Sequence, residues 1–263
     1  MQKNNVGVIR VLNGKKAIVT GASYGLGAVC AKALALEGVS MVLIARTKQK
    51  LEEVRQNCKN PDNHLTVEAD LTDIAQLKDA IKTSVDFLGD VDIILHVAGG
   101  GLGLRDPLLN AEGMEKLFQL NMFAAAEINT LVIPEMLKKR KGNVVHICSI
   151  ASSEATGSVG YNTAKAALAA YVRTLGREVA GSGVVVTGIL PGGFFAQGNS
   201  WARLQNKKPD IVKRFVEENL PRKFLGKAEE LVPMILLLCS ESASMMGGCL
   251  VPIDAGEGKS YLQ

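Results

Sequence analysis

Tyr161 and Lys165 stand four residues apart in the run Gly-Tyr-Asn-Thr-Ala-Lys. Four residues make about one helical turn, so on a helix the phenol and the ammonium share a face. A tyrosine hydroxyl titrates near pH ~10 and exchanges protons poorly at neutral pH. A fixed cation beside it lowers that value and makes the phenol a usable general acid or base. The spacing alone also suits an ordinary helix, so its meaning depends on the elements around it.

A second chemical signal lies near the start. Residues 15–27 read Lys-Lys-Ala-Ile-Val-Thr-Gly-Ala-Ser-Tyr-Gly-Leu-Gly. The apolar run Ala17–Val19 has the character of a buried strand, and the stretch from Ala28 to Leu36 that of a helix. Gly21, Gly25 and Gly27 lie in or beside the turn between them. Strand, glycine turn and helix in this order form a context for a dinucleotide. Glycine lets the backbone approach a pyrophosphate, and the helix N-terminus favours its charge. A tight turn with packing glycines is the alternative.

Together these stretches resemble the short-chain dehydrogenase/reductase family, in particular its 3-oxoacyl-reductase-like branch, from about Lys15 to Gly256. Ser149, twelve residues before Tyr161, stands where the family places its catalytic serine. Asn121, in Leu-Phe-Gln-Leu-Asn-Met, matches the family's catalytic asparagine. Pro191-Gly192 matches the pair that flanks the nicotinamide, and Gly-Gly-Cys-Leu-Val-Pro-Ile-Asp-Ala-Gly-Glu-Gly resembles the last strand. The resemblance implies that Tyr161 donates a proton to a carbonyl during reduction and is the base during oxidation. Lys165 then lowers the Tyr161 pKa and holds the nicotinamide ribose. Ser149 hydrogen-bonds the substrate oxygen, and Asn121 positions a water that links Lys165 to solvent. Cofactor contacts are implied at Gly21, Ser23, Tyr24, Gly25, Leu26, Gly27, Arg46, Asp70, Leu71, Ala98, Gly99, Tyr161, Lys165, Pro191, Gly192 and Phe194. No metal ligand is implied.

The end of the second strand bears on which dinucleotide. Enzymes preferring NAD commonly carry an acid there for the ribose 2′-hydroxyl. Here Ala45 is followed by Arg46, and a guanidinium suits a 2′-phosphate. NADP(H) is therefore expected, with Thr47, Lys48 and Ser23 as further donors. Asp70 matches an acid facing the adenine, and also suits the N-cap side of the next helix. Three stretches depart from the family. His96-Val97-Ala98-Gly99 replaces Asn-Asn-Ala-Gly, with His96 read as a satisfied core histidine. Ala196 replaces a threonine that bonds the carboxamide, for which Phe194 backbone groups are a substitute. Val186-Thr187 precedes the Pro-Gly in place of Val-Asn.

The elements needed to position these residues alternate along the chain. Strands are predicted at 16–20, 40–45, 64–69, 91–97, 143–148, 184–190 and 249–253. Helices are predicted at 25–37, 48–58, 73–87, 112–139, 159–180 and 227–240. This order predicts an α/β fold, a single doubly wound Rossmann domain over 1–263 with about seven parallel strands. Residues 195–225 fit neither period and carry Trp201, Arg203, Lys207, Lys208, Lys213 and Arg214. They follow a strand's carboxyl end, where a long segment acts as a substrate lid or is a solvated helical pair. Residues 1–13 are a polar lead-in.

Apolar residues make up 47% of the 263, enough for a full core, and the net charge of +4 is too slight for nucleic-acid binding. Five scattered cysteines without metal spacing suggest reduced thiols in a cytoplasmic protein. No signal-peptide pattern or membrane-length apolar run is evident. The expected function is hydride transfer between NADP(H) and a carbonyl or secondary alcohol: a 3-oxoacyl thioester, a sugar or another small alcohol. Basic residues between 203 and 223 hint at an anionic substrate. A dinucleotide-binding scaffold or sensor without turnover is the alternative, disfavoured by the intact Asn, Ser, Tyr and Lys. A homodimer or homotetramer is expected from the resemblance.

Overall fold

A computed structural model describes residues 12–260, so residues 1–11 of the polar lead-in lie outside the described residues. Seven parallel strands form one sheet: β1 (Lys16–Thr20), β2 (Ser40–Ala45), β3 (His64–Glu68), β4 (Ile93–His96), β5 (Gly142–Ile147), β6 (Val184–Pro191) and, after a small pair, β9 (Leu250–Ile253). Their spatial order is β3-β2-β1-β4-β5-β6-β9. The small pair, β7 (Phe194–Phe195) and β8 (Gly226–Lys227), lies apart.

The central strands are short apolar runs because both sheet faces are covered. Alternation divides them between two cores. Val19, Leu43 and Leu95 pack with Leu34 of α1 (Gly25–Leu36) and Ile235 of α9 (Val232–Leu238). Ile18, Ile44 and Ile94 pack on the other face with α3 (Ile74–Leu88), α5 (Ala124–Lys139) and α6 (Val159–Val179), through Leu77, Ile128 and Val172. A third helix on the first face, α2 (Lys48–Gln56), seals that core with Leu51 and Val54.

The chain leaves β1 toward β2 and returns to pair β4 on the other side of β1. That reversal opens a crevice at the carboxyl ends of β1 and β4, where open α/β sheets take ligands. Thr20 closes its floor, its Oγ1 accepting from the amides of Val97 and Ala98 at 3.1 and 3.2 Å.

Three segments differ from the sequence expectation. The helix predicted at 112–139 is α4 (Ala111–Phe118), a π-helical turn (Gln119–Phe123) and α5. The helix predicted at 227–240 begins late, because Lys227 pairs in β8 and Pro233 favours the first turn of α9. Residues 195–225, which showed no clean period, hold α7 (Ser200–Lys207) and α8 (Pro209–Asn219). Pro209 separates the two by forcing Lys208 out of the helical region.

Candidate active site

Tyr161 and Lys165 share one face of α6, one turn apart. Lys165 is only 3% exposed, and its Nζ donates to the carbonyl of Ile147 at the end of β5, 2.8 Å away. The ammonium lies 5.9 Å from the centre of the Tyr161 ring. Ser149, just beyond β5, caps the 3-10 turn Ile150–Ser152 by accepting from the Ala151 amide at 3.1 Å. Its hydroxyl is also the neighbour that draws the Tyr161 pKa down.

Asn121 sits buried in the π-helical turn, a form frequent at functional sites. Its amide nitrogen donates to the carbonyls of Leu117 and Gly100 at 2.9 and 3.0 Å, and its oxygen accepts from the Gly100 amide at 2.9 Å. It thereby satisfies backbone groups and ties the loop after β4 to the helix. Gly99 fills the gap to the lysine: a methyl built there would lie 3.0 Å from Asn121 Oδ1 and 3.3 Å from Lys165 Nζ. Four sequence positions, 121, 149, 161 and 165, thus converge at the carboxyl edge of β4 and β5.

The glycine turn borders the same edge. A side chain at Gly21 (φ +65°) would meet the Ala98 backbone at 2.8 Å, and one at Gly27 would meet the Gly21 carbonyl at 2.2 Å. Both glycines let β1, β4 and α1 close up, so this packing need is real alongside any ligand role. Helix α1 starts from Tyr24 with no side-chain cap and no acid in its first turn. Its early amides therefore favour an anionic group. Ser23 is buried, Tyr24 is exposed with Lys50 Nζ 5.8 Å from its ring, and Leu26 is buried in the core. The Gly25 amide donates to the carbonyl of Gln197, beyond β7, at 3.1 Å.

Residues 15–206 match the short chain dehydrogenase family. The chain belongs to the short-chain dehydrogenases. An uncharacterized oxidoreductase of Staphylococcus epidermidis is 34% identical over 179 residues, covering 68% of this chain and 77% of that protein. A 3-oxoacyl-[acyl-carrier-protein] reductase of Thermotoga maritima is 26% identical over 250 residues, covering 93% and 98%. Among solved structures, L-sorbose reductase from Gluconobacter frateurii, complexed with NADPH and L-sorbose, superposes with a TM-score of 0.86 at 27% identity, covering 94% and 98%. The protein is therefore an oxidoreductase of the CH–OH/C=O class that uses a nicotinamide cofactor.

The remaining positions expected to meet a cofactor fall along the crevice. Arg46 is exposed just past β2, and Ala98 and Gly99 follow β4. Pro191 ends β6 and is buried, with Gly192 beside it. Asp70 is occupied locally, its Oδ1 accepting from the amide and hydroxyl of Thr72 at 3.0 and 2.8 Å; Asp73 is the N-cap of α3. Leu71 is buried in the core. The Phe194 carbonyl accepts from Asn199 Nδ2 at 2.8 Å. Trp201 packs on Phe215 of α8 with ring centres 4.4 Å apart and planes tilted, joining α7 to α8.

The electrostatics differ from the sequence expectation in one respect. Burial pushes the Tyr161 hydroxyl above its ordinary range, and the nearby Ser149 hydroxyl, not the Lys165 charge, is what opposes the rise. The cause is visible at Lys165. Its ammonium is turned to the Ile147 carbonyl, and burial lowers its own pKa to about 8.

His96 is a satisfied core histidine, as read from the sequence. Its Nε2 lies 2.9 Å from Asn129 Oδ1, and its ring stacks on His146 at 4.5 Å. Asn129 Nδ2 reaches His146 Nε2 at 3.3 Å and Tyr171 Oη at 3.1 Å. Sequence reading missed this network and also missed Glu257, which accepts from the Gly193 amide. No sequence motif marks either. Among the described residues no group of His, Cys, Asp and Glu is arranged to hold a metal ion.

Proposed function

We propose that this protein is an NADP(H)-dependent carbonyl reductase or alcohol dehydrogenase in which Tyr161 moves the proton. The observation that carries the reading is the convergence of Ser149 and Tyr161 beside buried Lys165, with Asn121 across Gly99. When bound, the nicotinamide supplies or accepts the hydride. Tyr161 gives its hydroxyl proton to the nascent alkoxide, or takes one from an alcohol. Ser149 donates to the same oxygen and holds its developing charge. Lys165, turned to the Ile147 carbonyl, holds the nicotinamide ribose and passes a proton back to Tyr161. Asn121, whose amide nitrogen already fixes Leu117 and Gly100, positions a water through which Lys165 is reprotonated.

The preference for a 2′-phosphate rests on Arg46. β2 ends at Ala45 without an acid, and the exposed guanidinium stands at the mouth of the crevice with Thr47 and Lys48 beside it. Gly21, Ser23, Tyr24, Gly25, Leu26 and Gly27 hold the pyrophosphate and adenosine side. Asp70, Leu71, Ala98, Gly99, Pro191, Gly192 and Phe194 line the remainder. Residues 195–225 close over the substrate, a small or carrier-bound carbonyl compound. The exposed apolar residues Phe123 and Leu131 on or beside α5 favour a homodimer or homotetramer. Free cysteines among the described residues, with no helix there long and apolar enough to cross a membrane, agree with a cytoplasmic protein.

The test is a screen of ketones, 3-oxoacyl thioesters and keto sugars, followed by the absorbance of reduced nicotinamide. Once a substrate turns over, Tyr161→Phe lowers turnover by roughly 10²–10⁴-fold, the worth of a positioned proton donor. NADPH binding stays. A Tyr161→Phe variant working at the parent rate refutes the mechanism.

A further inference from the structure

The turn after β6 is held by an acid from the far end of the chain. Gly193 donates its amide to Glu257 Oε2 at 2.5 Å. A methyl built on Gly192 would lie 2.6 Å from the same oxygen. Glu257 is 9% exposed, and the segment that carries it is itself pinned. Asp254 accepts from the amides of Gly256 and Gly258 at 3.0 Å each. Glu154, five residues beyond Ser149, accepts from the Lys259 and Ser260 amides at 2.8 and 2.9 Å. The segment from Asp254 to Ser260 therefore crosses from the last strand to the loop carrying Ser149, and touches the Pro191-Gly192-Gly193 turn on the way.

We propose that Glu257 is a positioning residue for the nicotinamide half of the cofactor site, acting through the Gly193 amide on Pro191-Gly192. The inference rests on the cofactor reading above. Three observations carry it. Ala196 is buried and offers no side-chain hydrogen bond to this turn. Gly192 and Gly193 have no side chains, so anchorage must come through backbone groups. A partly buried amide such as that of Gly193 needs a partner, and an ionised oxygen is a stronger acceptor than a neutral one. Glu257 supplies it at some cost. Burial raises its pKa, the nearby carboxylates of Asp254 and Glu154 raise it further, and the Gly193 amide is the group that opposes them. Among the described residues, the side-chain hydrogen bond of Glu257 goes to this turn.

The experiment compares two ligands on the full chain: NADPH, followed by nicotinamide fluorescence, and 2′-phospho-ADP-ribose, which lacks the nicotinamide, followed by calorimetry. Glu257→Leu keeps the bulk and removes the acceptor. Glu257→Asp keeps the charge but withdraws it from Gly193. Glu257→Gln keeps an acceptor oxygen in place. Losing a hydrogen bond to a charged group weakens binding by roughly ten- to hundredfold. We expect that loss for NADPH in Glu257→Leu, a smaller one in Glu257→Asp and near-parent affinity in Glu257→Gln. The fragment binds all four proteins alike. Equal weakening of both ligands shows a general structural role and overturns the proposal, as does an unchanged ratio in Glu257→Leu or, if that variant does not fold, in Glu257→Asp. A parent protein that binds neither ligand overturns the cofactor reading and this proposal together; one that binds both leaves the cofactor reading standing whatever the variants do.

Discussion

Asn121 and Lys165 face one another across Gly99, with space between them for a hydrogen but not for a methyl. A Cβ at Gly99 would sit 3.0 Å from Asn121 Oδ1 and 3.3 Å from Lys165 Nζ. Both atoms are held from behind, the first by the Gly100 amide and the second by the Ile147 carbonyl. Neither can retreat without breaking a hydrogen bond. Gly99 does not have the left-handed φ that would itself penalise a side chain. Gly99→Ala is therefore expected to destabilise the fold by only about 1–3 kcal/mol, the usual cost of overpacking. Turnover should fall at least about tenfold, because small displacements of positioned groups are costly. Thermal unfolding and steady-state kinetics on the same preparation check this; parent turnover in Gly99→Ala shows that the Asn121–Lys165 spacing does not matter.

Cofactor choice gives a second test. Arg46 is exposed past β2, and the strand carries no acid at its end. NADPH should bind more tightly than NADH, and Arg46→Ala should narrow the gap by about 1.5–3 kcal/mol, the worth of a hydrogen bond to a charged group. The fold should be unaffected, since the side chain faces solvent. Fluorescence titration of both cofactors decides it, and equal affinities in the parent protein contradict the assignment.

The fold was legible because its signals are local. Apolar runs at 16–20 and 40–45 became β1 and β2 with those boundaries, and Tyr161 and Lys165 fell on one helical face because a four-residue spacing requires it. The residues that convergence depends on were less legible. The π-helical turn holding Asn121 has no periodic signature, since one widened turn barely disturbs the pattern of a long helix. The helices at 200–207 and 209–219 bury few residues, among them Ala202 and Val212, so their apolar stripes are thin. Glu257 meets Gly193 across 64 residues of sequence. The Tyr161 pKa was misjudged for a related reason. Spacing shows that a cation is near, but not that it is turned to Ile147 or that the phenol is buried.

The stacked pair His96 and His146 predicts a pH limit on stability. Both rings are buried. The hydrogen bonds are mutually consistent when His96 carries its proton on Nε2, donating to Asn129, and His146 carries its own on Nδ1, donating to Thr187. Burial lowers the His96 pKa from 6.5 to about 4, and His146 is lowered by burial and by His96 beside it. The unfolded chain therefore binds more protons than the folded one between those values. The histidine contribution to stability should be level above pH ~6.5 and fall as pH drops toward ~4, with His96 contributing up to about 3 kcal/mol of the loss. Denaturant unfolding at a series of pH values measures the slope. His96→Asn should flatten it, and a slope unchanged by that substitution places the effect elsewhere.

The last prediction concerns residues 195–225. Their contact with the rest of the site is specific: the Gln197 carbonyl takes the Gly25 amide at 3.1 Å, and Gly198 (φ +78°) lies so close to the Tyr24 ring that a methyl there would meet it at 3.1 Å. The segment thus leans on the same turn that is read as the pyrophosphate cradle. Its own stability is low in physical terms, because most of its residues are exposed and its basic side chains Arg203, Lys207, Lys208, Lys213 and Arg214 lie in water. Helix α7 depends on one cap, Asn199 accepting from the Ala202 amide at 2.8 Å. Amides of 196–219 should exchange rapidly without ligand and about tenfold or more slowly with NADPH and substrate bound, since closure keeps water from the hydride path. Gly198→Ala strains a left-handed position against Tyr24, so it should loosen the segment and shorten the NADPH residence time. Hydrogen exchange followed by mass spectrometry reads the first effect and stopped-flow displacement the second. Strong protection in the absence of ligand, unchanged when it binds, makes 195–225 a fixed part of the scaffold and leaves its basic residues as solvated surface.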